Sequence, residues 1–554
     1  MNAHLLSADR DFDLAAPLPW GHEALVQDLQ LEPLLEVMAS GDPLLARAAR
    51  QGLLGAAAAA DPATIRYRQR AWADCCAEPA AVQKWHALAR DGAQAARRER
   101  AGLFTRRADS IAHASRRALS ILVATLAEIR SVADAHPTQF TSPAFGGLAT
   151  RLQEDLSDDY LADVTGLLHA LQFPGGVTIS AGLGPGLQSR EPVLRGPRPS
   201  MHGWALRRLR RRQAASSFVL HPRDDAGHRL LGEWQNRGLE GTARALAQSV
   251  DHIIGFLQTL EAETGFYLAA LNLQRALAEK GPLSIPEPRP LGTSHLAARG
   301  VWDPSLALQQ AGSLVPNSVP AGAANPIVIT GANRGGKSTL LRALGICQLL
   351  MQAGLFVPAE HFSASVAIGI LTHFKREEDR ALARGKLDEE LARLRDILDH
   401  LRPHALVLAN EPMQSTNEAE GAAIGGQLFR ALVDSKVRVL LVTHLHDLAV
   451  SLTKDCPSAL SLRAGPPDGP DGPFVIQPGD PKPTAYAEGL YRALLGNGDG
   501  RGDGDVLQTS APQPDMLGQD FAAAAAPETR TSAGSNIQHA PGSLDRAPIW
   551  HEAE

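Results

Sequence analysis

Apolar residues recur at three- and four-residue intervals through "LEPLLEVMASGDPLLARAARQGLL" and "RALSILVATLAEIRSVADA", the period of helices that bury one face. "DPATIRYRQRAWADCCAEPAAVQKWHALA" opens on an Asp-Pro helix-start signal, and Pro79 interrupts it. Residues 1–172 are therefore predicted to be mostly helical. Over residues 173–235 the texture changes. "FPGGVTISAGLGPGLQSREPVLRGPRPS" is rich in Gly and Pro with short β-prone runs, which predicts a small β-rich insertion. The helical period returns in "GTARALAQSVDHIIGFLQTLEAETGFYLAALNLQRALAEKG", predicting a long helix within 236–290. From 291 to 496 strand and helix patterns alternate. "PIVIT", "ALVLAN" and "VRVLLVT" are short β-prone runs, each followed by a helical pattern, as in a parallel sheet covered by helices. The fold class predicted is α + α/β. Residues 497–554 lack periodicity and hold few bulky apolar residues, the composition of a disordered tail.

The stretch "PIVITGANRGGKSTLLRAL" carries the most chemistry. It contains G-x-x-x-x-G-K-[ST] from Gly331 to Ser338, after a predicted strand and before a predicted helix, the context that marks a phosphate-binding P-loop. Gly331, Gly335 and Gly336 allow a tight curl that points successive N–H groups at phosphate oxygens, and the following helix adds its positive end. Lys337 is expected to reach the outer phosphates and Ser338 to ligate Mg²⁺. A P-loop also needs a second strand bringing an acid to the metal and a base to the attacking water. "ALVLAN" followed by Glu411 fits that strand, with Asn410 in the metal-side position and Glu411 in the base position. An amide oxygen still accepts a hydrogen bond from a metal-bound water but brings no charge. Slow hydrolysis with weakened Mg²⁺ affinity is the reading favoured; binding of ATP without turnover is the alternative.

Composition narrows the class. The chain has 554 residues, 44% hydrophobic and 21% charged, with a formal net charge of -6. That is the balance of a globular protein of several domains, so nucleic-acid binding would have to come from local basic patches. The four cysteines show neither metal-ligand nor secreted-disulfide spacing. "MNAHLLSADRDFDL" is not a secretory signal, and "ALSILVATLAEI" is too short to span a bilayer, so a cytoplasmic protein without membrane contact is expected. "THLHD" (His444, His446, Asp447) has the look of a metal site, but its place after a strand beside the P-loop favours a phosphate sensor.

These residues resemble the MutS family of DNA mismatch-repair ATPases. "VITGANRGGKSTLLRAL…AGLFVPAE" is similar to the family's G-P-N-M-G-G-K-S-T loop and later F-V-P-A, with Ala332 and Arg334 replacing the usual Pro and Met. Asn333, Gly335, Gly336, Lys337, Ser338 and Thr339 match. "VLANEPMQSTNEAEG" resembles the Asp-Glu strand and the turn after it, and "LVTHLHDL" the Thr-His-x-x-Glu-Leu switch, which implies that His444 sits near the γ-phosphate. "LVPNSV" and "PTAYAEGLYRALLG" resemble segments flanking the ATPase core, and "LEAETGFYLAALNL" the lever helix leading into it. The resemblance implies a helical core with first lever helices over 1–172, a clamp-like insertion over 173–235, a returning lever helix over 236–290 and an ABC-like P-loop NTPase domain over 291–496. The family's mismatch-reading domain has no counterpart here. Its cross-dimer loop, with a Ser and a Phe after Arg-Gly, reads "ARGKLDEELARL", without the serine; Gly385 and Lys386 occupy the place of contact. The same stretch reads as an ordinary surface helix with acidic residues first and basic residues later, as suits its dipole.

Family likeness further implies a homodimer sandwiching ATP and Mg²⁺, with a clamp on duplex, mismatched or branched DNA. "WALRRLRRRQ" places Arg207, Arg208, Arg210, Arg211 and Arg212 beside Trp204, between the helical blocks, as a DNA contact of the phosphate-pairing kind. A solvated basic loop is the rival reading. "ARRERAGLFTRRADSIAHASRRAL" reads instead as helix surface paired with nearby acids. The expected function is ATP-dependent DNA binding with weak hydrolysis coupled to clamp motion. The rivals are a nucleotide-gated scaffold and a transporter-type or chromosome-structural P-loop ATPase, whose Leu-Ser-Gly-Gly signature is not evident.

Overall fold

A computed structural model describes residues 1–482 except 59–60, 102–106, 137, 174–175, 186–188, 197–218, 311, 313, 376–385 and 466–472. The tail expected over 497–554 and the segment "PTAYAEGLYRALLG" lie outside the described residues. The N-terminal region is helical: α1 (His22–Asp28), α2 (Glu32–Ala39), α3 (Pro43–Ala56), α4 (Pro62–Ala77), α5 (Pro79–Ala101), α6 (Ala108–Ala135), α7 (Phe145–Asp155) and α8 (Asp158–Ala170). Asp61 caps α4 by accepting from the N–H groups of Ala63 and Thr64, with Pro62 at the first helical position, as the Asp-Pro signal predicts. Pro79 restarts the chain as α5. The run read as one helical pattern around residue 40 is broken by Ser40 and Gly41, both at positive φ, so α2 and α3 are separate.

A long helix, α9 (Asp225–Leu277), packs along α5 and α6. The returning helix thus starts before the predicted 236 and stops well short of 290, and the predicted insertion over 173–235 is shortened accordingly. The cause is a capping residue: Asp224 accepts from the Gly227 N–H at 2.9 Å. At the other end Gly281-Pro282 prevents continuation. Among the described residues, the insertion holds one antiparallel pair, β1 (Thr178–Leu183) with β2 (Ser189–Arg195). Trp85, Phe145, Phe266 and Tyr267, all under 2% exposed, form the aromatic centre of the helical core.

The residues before α1 lie within the region predicted to be mostly helical but form no helix. They form an irregular strap with Ala3, Leu5 and Leu6 buried. Remote groups satisfy its backbone: the Leu5 and Phe12 N–H groups donate to the Glu263 carboxyl at 2.6 and 2.8 Å, and Arg68 Nε donates to the Leu6 carbonyl at 2.8 Å.

The C-terminal region contains the predicted parallel sheet. Its order is β12 (Ile476–Pro478), β11 (Leu460–Ala464), β6 (Ile327–Gly331), β10 (Arg438–Val442), β9 (Leu406–Asn410), β8 (Ile370–Phe374), parallel throughout except for β12 at the edge. Successive side chains point to opposite faces. Ile327, Ile329, Leu406, Leu408, Leu440 and Val442 join the core that continues into the helical region and includes α11 (Lys337–Gln352). Val328, Val407, Ala409, Val439 and Leu441 pack beneath α12 (Lys386–His400), α13 (Glu418–Asp434) and α14 (His446–Asp455). Both faces are covered, which is why these strands read as unbroken apolar runs. A second sheet, β3 (Glu287–Arg289), β7 (His361–Ser365), β4 (Leu296–Val301) and β5 (Asn317–Gly322), was not predicted. One short helix, α10 (Pro304–Gln309), follows β4.

Candidate active site

Strand register assembles the site. Val442 pairs with both Ile329 and Asn410, so β10 and β9 end level with one another and β6 runs two residues further, to Gly331. The glycine loop after β6, the Asn410–Glu411 turn after β9 and Thr443–His444 after β10 therefore emerge on one edge. Ligands of open α/β sheets bind at such carboxyl ends.

At two positions the loop leaves no room for a side chain. A Cβ at Gly331, whose φ is 113°, would lie 2.3 Å from the Ala464 carbonyl oxygen, and one at Gly335 would lie 2.9 Å from the Ala332 carbonyl oxygen. Gly336, at φ 84°, begins α11. Lys337 is only 4% exposed, and its ammonium donates to the Gly331 and Ala332 carbonyls at 3.0 and 2.8 Å. Burial lowers its pKa, and the Glu411 carboxylate acts in the opposite direction. A buried cation under a curl of backbone fits the phosphate tail of a nucleotide. Asn333, Gly335, Gly336, Lys337, Ser338, Thr339 and Glu411 all line one cavity of about 360 Å³.

Ser338 Oγ donates to Asn410 Oδ1 at 2.8 Å, directly and without a bridging atom. The two residues predicted to share a metal are thus neighbours, and both contacting atoms are oxygens, the donor type a hard cation takes. Among the described residues there is no cluster of three or more His, Cys, Asp or Glu side chains that could hold a metal ion.

Glu411 and Met413 flank Pro412, with φ of 54° and 63°. Left-handed backbone at non-glycine residues costs roughly 1–2 kcal/mol each, so this turn requires external support. The Glu411 N–H donates to the Val442 carbonyl at 2.8 Å, and the Met413 N–H donates to Glu390 Oε1 at 2.6 Å. Gln414 Nε2 donates to Glu411 Oε2 and lies 3.1 Å from His444 Nδ1. An amide nitrogen only donates, so with this amide orientation His444 Nδ1 is the acceptor and its proton sits on Nε2.

The sequence reading missed Gln414. It also missed the apolar wall of the cavity, Trp302, Leu306, Leu314, Val315 and Phe474. Asn317 secures that wall: its Nδ2 donates to the Phe474 carbonyl at 3.1 Å and its Oδ1 accepts from the Ile476 N–H at 2.7 Å. The signal available was "LVPNSV", noticed only as a flank. Gly385 lies outside the described residues, as do Arg207, Arg208, Arg210, Arg211 and Arg212; Lys386 begins α12. In the second basic cluster, Arg117 pairs with Glu99 at 2.7 Å, Arg107 with Asp109 at 3.1 Å, and Arg100 with Asp251, as expected of helix surface. The four cysteines are free. Among the described residues no helix is long and apolar enough to cross a membrane.

Fold and site define a parallel-sheet domain with a glycine-rich loop over a buried lysine, joined through one continuous core to a helical arm. Comparison with known proteins adds the lineage. Residues 60–280 match the MutS2 N-terminal domain and residues 327–462 match MutS domain V. The "MutS protein homolog 4" of Mus musculus is 32% identical over 162 residues, 29% of this chain and 17% of that protein. The "DNA mismatch repair protein MutS" of Prochlorococcus marinus is 34% identical over 138 residues, 24% of this chain and 15% of the relative. The "Probable DNA mismatch repair protein Msh6" of Drosophila melanogaster is 33% identical over 141 residues, 25% of this chain and 12% of the relative. The chain belongs to the MutS family and is related to DNA mismatch-repair proteins. The matched segment covers less than a fifth of each of these relatives.

Proposed function

We propose that the protein is an ATP-binding, DNA-binding member of its family that hydrolyses ATP slowly and couples nucleotide state to movement of its helical arm. The observation that carries this reading is the buried Lys337 ammonium beneath a loop that leaves no room for a Cβ at Gly331 or Gly335, with Glu411 lining the same cavity. In this reading the loop amides and Lys337 bind the triphosphate, and the apolar wall around Trp302 and Phe474 takes the base. Ser338 and, through a metal-bound water, Asn410 would hold Mg²⁺, which would neutralise phosphate charge. Glu411 accepts the proton of the attacking water as general base. His444, protonated on Nε2, donates to the terminal phosphate in this reading, and Gln414 keeps base and donor in fixed relation. The segment at Gly385 and Lys386 completes the site across a homodimer, and the arginines at 207, 208, 210, 211 and 212 contact DNA, in a cytoplasmic setting. A shift in arm position follows wherever ATP and ADP differ in affinity for two arm states.

Asn410 favours a second reading, a nucleotide-gated scaffold without turnover, because its amide adds no charge to the metal-side position. A steady-state ATPase assay across a Mg²⁺ titration separates the two. Turnover that disappears in Glu411→Gln while ATP still binds supports the first reading. Turnover surviving that substitution removes Glu411 from the role of base, and ATP binding without any turnover selects the scaffold.

A further inference from the structure

Directly after the acidic first turn of α12, formed with Asp388 and Glu389, stands an acid that does not face water. Glu390 is 6% exposed, whereas the residue before it, Glu389, is not buried. Its Oε1 accepts the Met413 N–H at 2.6 Å and lies 3.5 Å from His373 Nε2 on the edge strand β8. Burial raises its pKa, but the His373 ring, the Met413 N–H and the Ser415 hydroxyl together outweigh burial, and its carboxyl lies below the ordinary glutamate value. The helix is seated by a second bond, from Arg393 Nη1 to the Phe374 carbonyl at 3.3 Å, and Phe374 pairs with Asn410 across the sheet. Leu394 and Ile397 of the same helix enter the core. The carboxylate therefore stands where α12, the last residues of β8 and the turn after β9 meet.

Met413 is at φ 63°, two residues beyond Glu411 at φ 54°. A turn in this conformation relaxes unless it is held, and an ionised acceptor holds an N–H more strongly than a neutral one. We infer that Glu390 is a positioning residue: it anchors the strained turn that aims Glu411 and thereby makes the orientation of the base depend on where α12 sits. This inference rests on the proposed hydrolytic role of Glu411 and extends it to regulation of that same site. Glu390 touches no reacting atom; it acts through the Met413 main chain. Because α12 begins at Lys386, directly after residues 376–385, whatever displaces that end of the helix also moves the anchor of the turn.

The test uses the full chain with Glu390→Ala and Glu390→Gln. Glu390→Ala should lower the ATPase kcat about ten- to a hundredfold with the ATP KM within about twofold, since misplacing a catalytic group by an ångström has that effect. Glu390→Gln should recover most of the loss, because its amide oxygen accepts the same N–H. Independently of turnover, hydrogen–deuterium exchange without nucleotide should speed up about tenfold at Met413 and Gln414 in Glu390→Ala while amides of α11 and β10 keep their rates. If the wild-type chain proves inactive, the hydrolytic reading fails and the exchange measurement alone decides about Glu390. Unchanged exchange in the turn overturns the inference. So does acceleration spread over α11 and β10, which would mark a general structural role, or an unchanged kcat in an active protein.

Discussion

Removing the guanidinium that pairs with Asp303, a residue of the cavity wall, should destabilise the protein in a way that depends on pH. Arg342, on α11, donates from Nε to Asp303 Oδ2 at 2.5 Å. The Asp303 side chain is 0% exposed, and its Oδ1 caps α10 by accepting from the Ser305 and Leu306 N–H groups at 2.9 and 3.1 Å. In Arg342→Met the cap remains but Oδ2 loses its charged partner, and stranding a buried charge in this way costs about 3–5 kcal/mol. Unfolding entropy of about 2.1 cal/mol/K per residue over roughly 480 residues gives about 1 kcal/mol/K, hence a fall in Tm of roughly 3–5 °C at neutral pH. The pH dependence follows from Asp303 itself. Burial raises its folded pKa above 3.8 even though Arg342 and the N–H groups oppose this. An acid with a raised folded pKa contributes most stability below its unfolded pKa, and that contribution is lost as pH climbs from about 3.8 through the folded value. Losing Arg342 lifts the folded value further and widens that window. Scanning calorimetry of wild type and Arg342→Met at pH 5 and pH 7.5 should show the deficit shrinking at the lower pH. The double variant Asp303→Asn, Arg342→Met should recover part of the loss at pH 7.5. An equal deficit at both pH values, or a double variant no better than the single one, would refute the argument that the unpaired carboxylate is the cause.

Asn410→Asp keeps the shape that accepts from Ser338 and adds a charge to the metal-side position. The Mg²⁺ concentration for half-maximal ATP turnover or binding should fall about tenfold or more, because a unit charge near a dication outweighs its partial desolvation; an unchanged midpoint counts against the metal assignment. Glu263, whose carboxyl burial pushes up to about 8, keeps its proton more readily in the folded state than in the unfolded one. Stability in urea should therefore decline as pH rises from about 5 to 8, and Glu263→Gln should flatten that slope. A slope of equal size in the variant would place the titrating group elsewhere.

How much of this was visible beforehand depends on where each signal lay along the chain. β6, β9 and β10 were legible because burial on both faces turns a strand into an unbroken apolar run. The glycine loop was legible because its spacing is itself the chemistry. The second sheet was not: its strands are short, and Pro288, Gly300 and Pro320 within them read as loop. The N-terminal strap was hidden because its backbone is satisfied by Glu263 and Arg68, residues far along the chain. Glu390 lay within a stretch that reads as an ordinary surface helix, since helix period alone does not tell which glutamate faces a neighbouring loop. Gln414 offered no signal, because an amide becomes informative only when its two partners are known.

The arm and the site share a single short stretch of chain. After α9 ends at Leu277, the backbone turns at Gly281, where a Cβ would lie 2.8 Å from the Trp302 ring. Trp302 Nε1 donates to the Pro282 carbonyl at 3.0 Å, and its ring lines the cavity. The next residue is Asp303, which caps α10 and pairs with α11, while α10 packs against both α2 and α9. Contacts this close have little free volume, so a displaced cavity wall shifts its neighbours instead of being absorbed locally. At 1.5 Å per residue a helix the length of α9 extends roughly 80 Å, and each degree of rotation at its base moves its far end by about 1.4 Å. On the proposed reading, a change at a bound nucleotide too small to disturb the sheet is thus enough to reposition the distal end of the arm, with no bend needed within the helix.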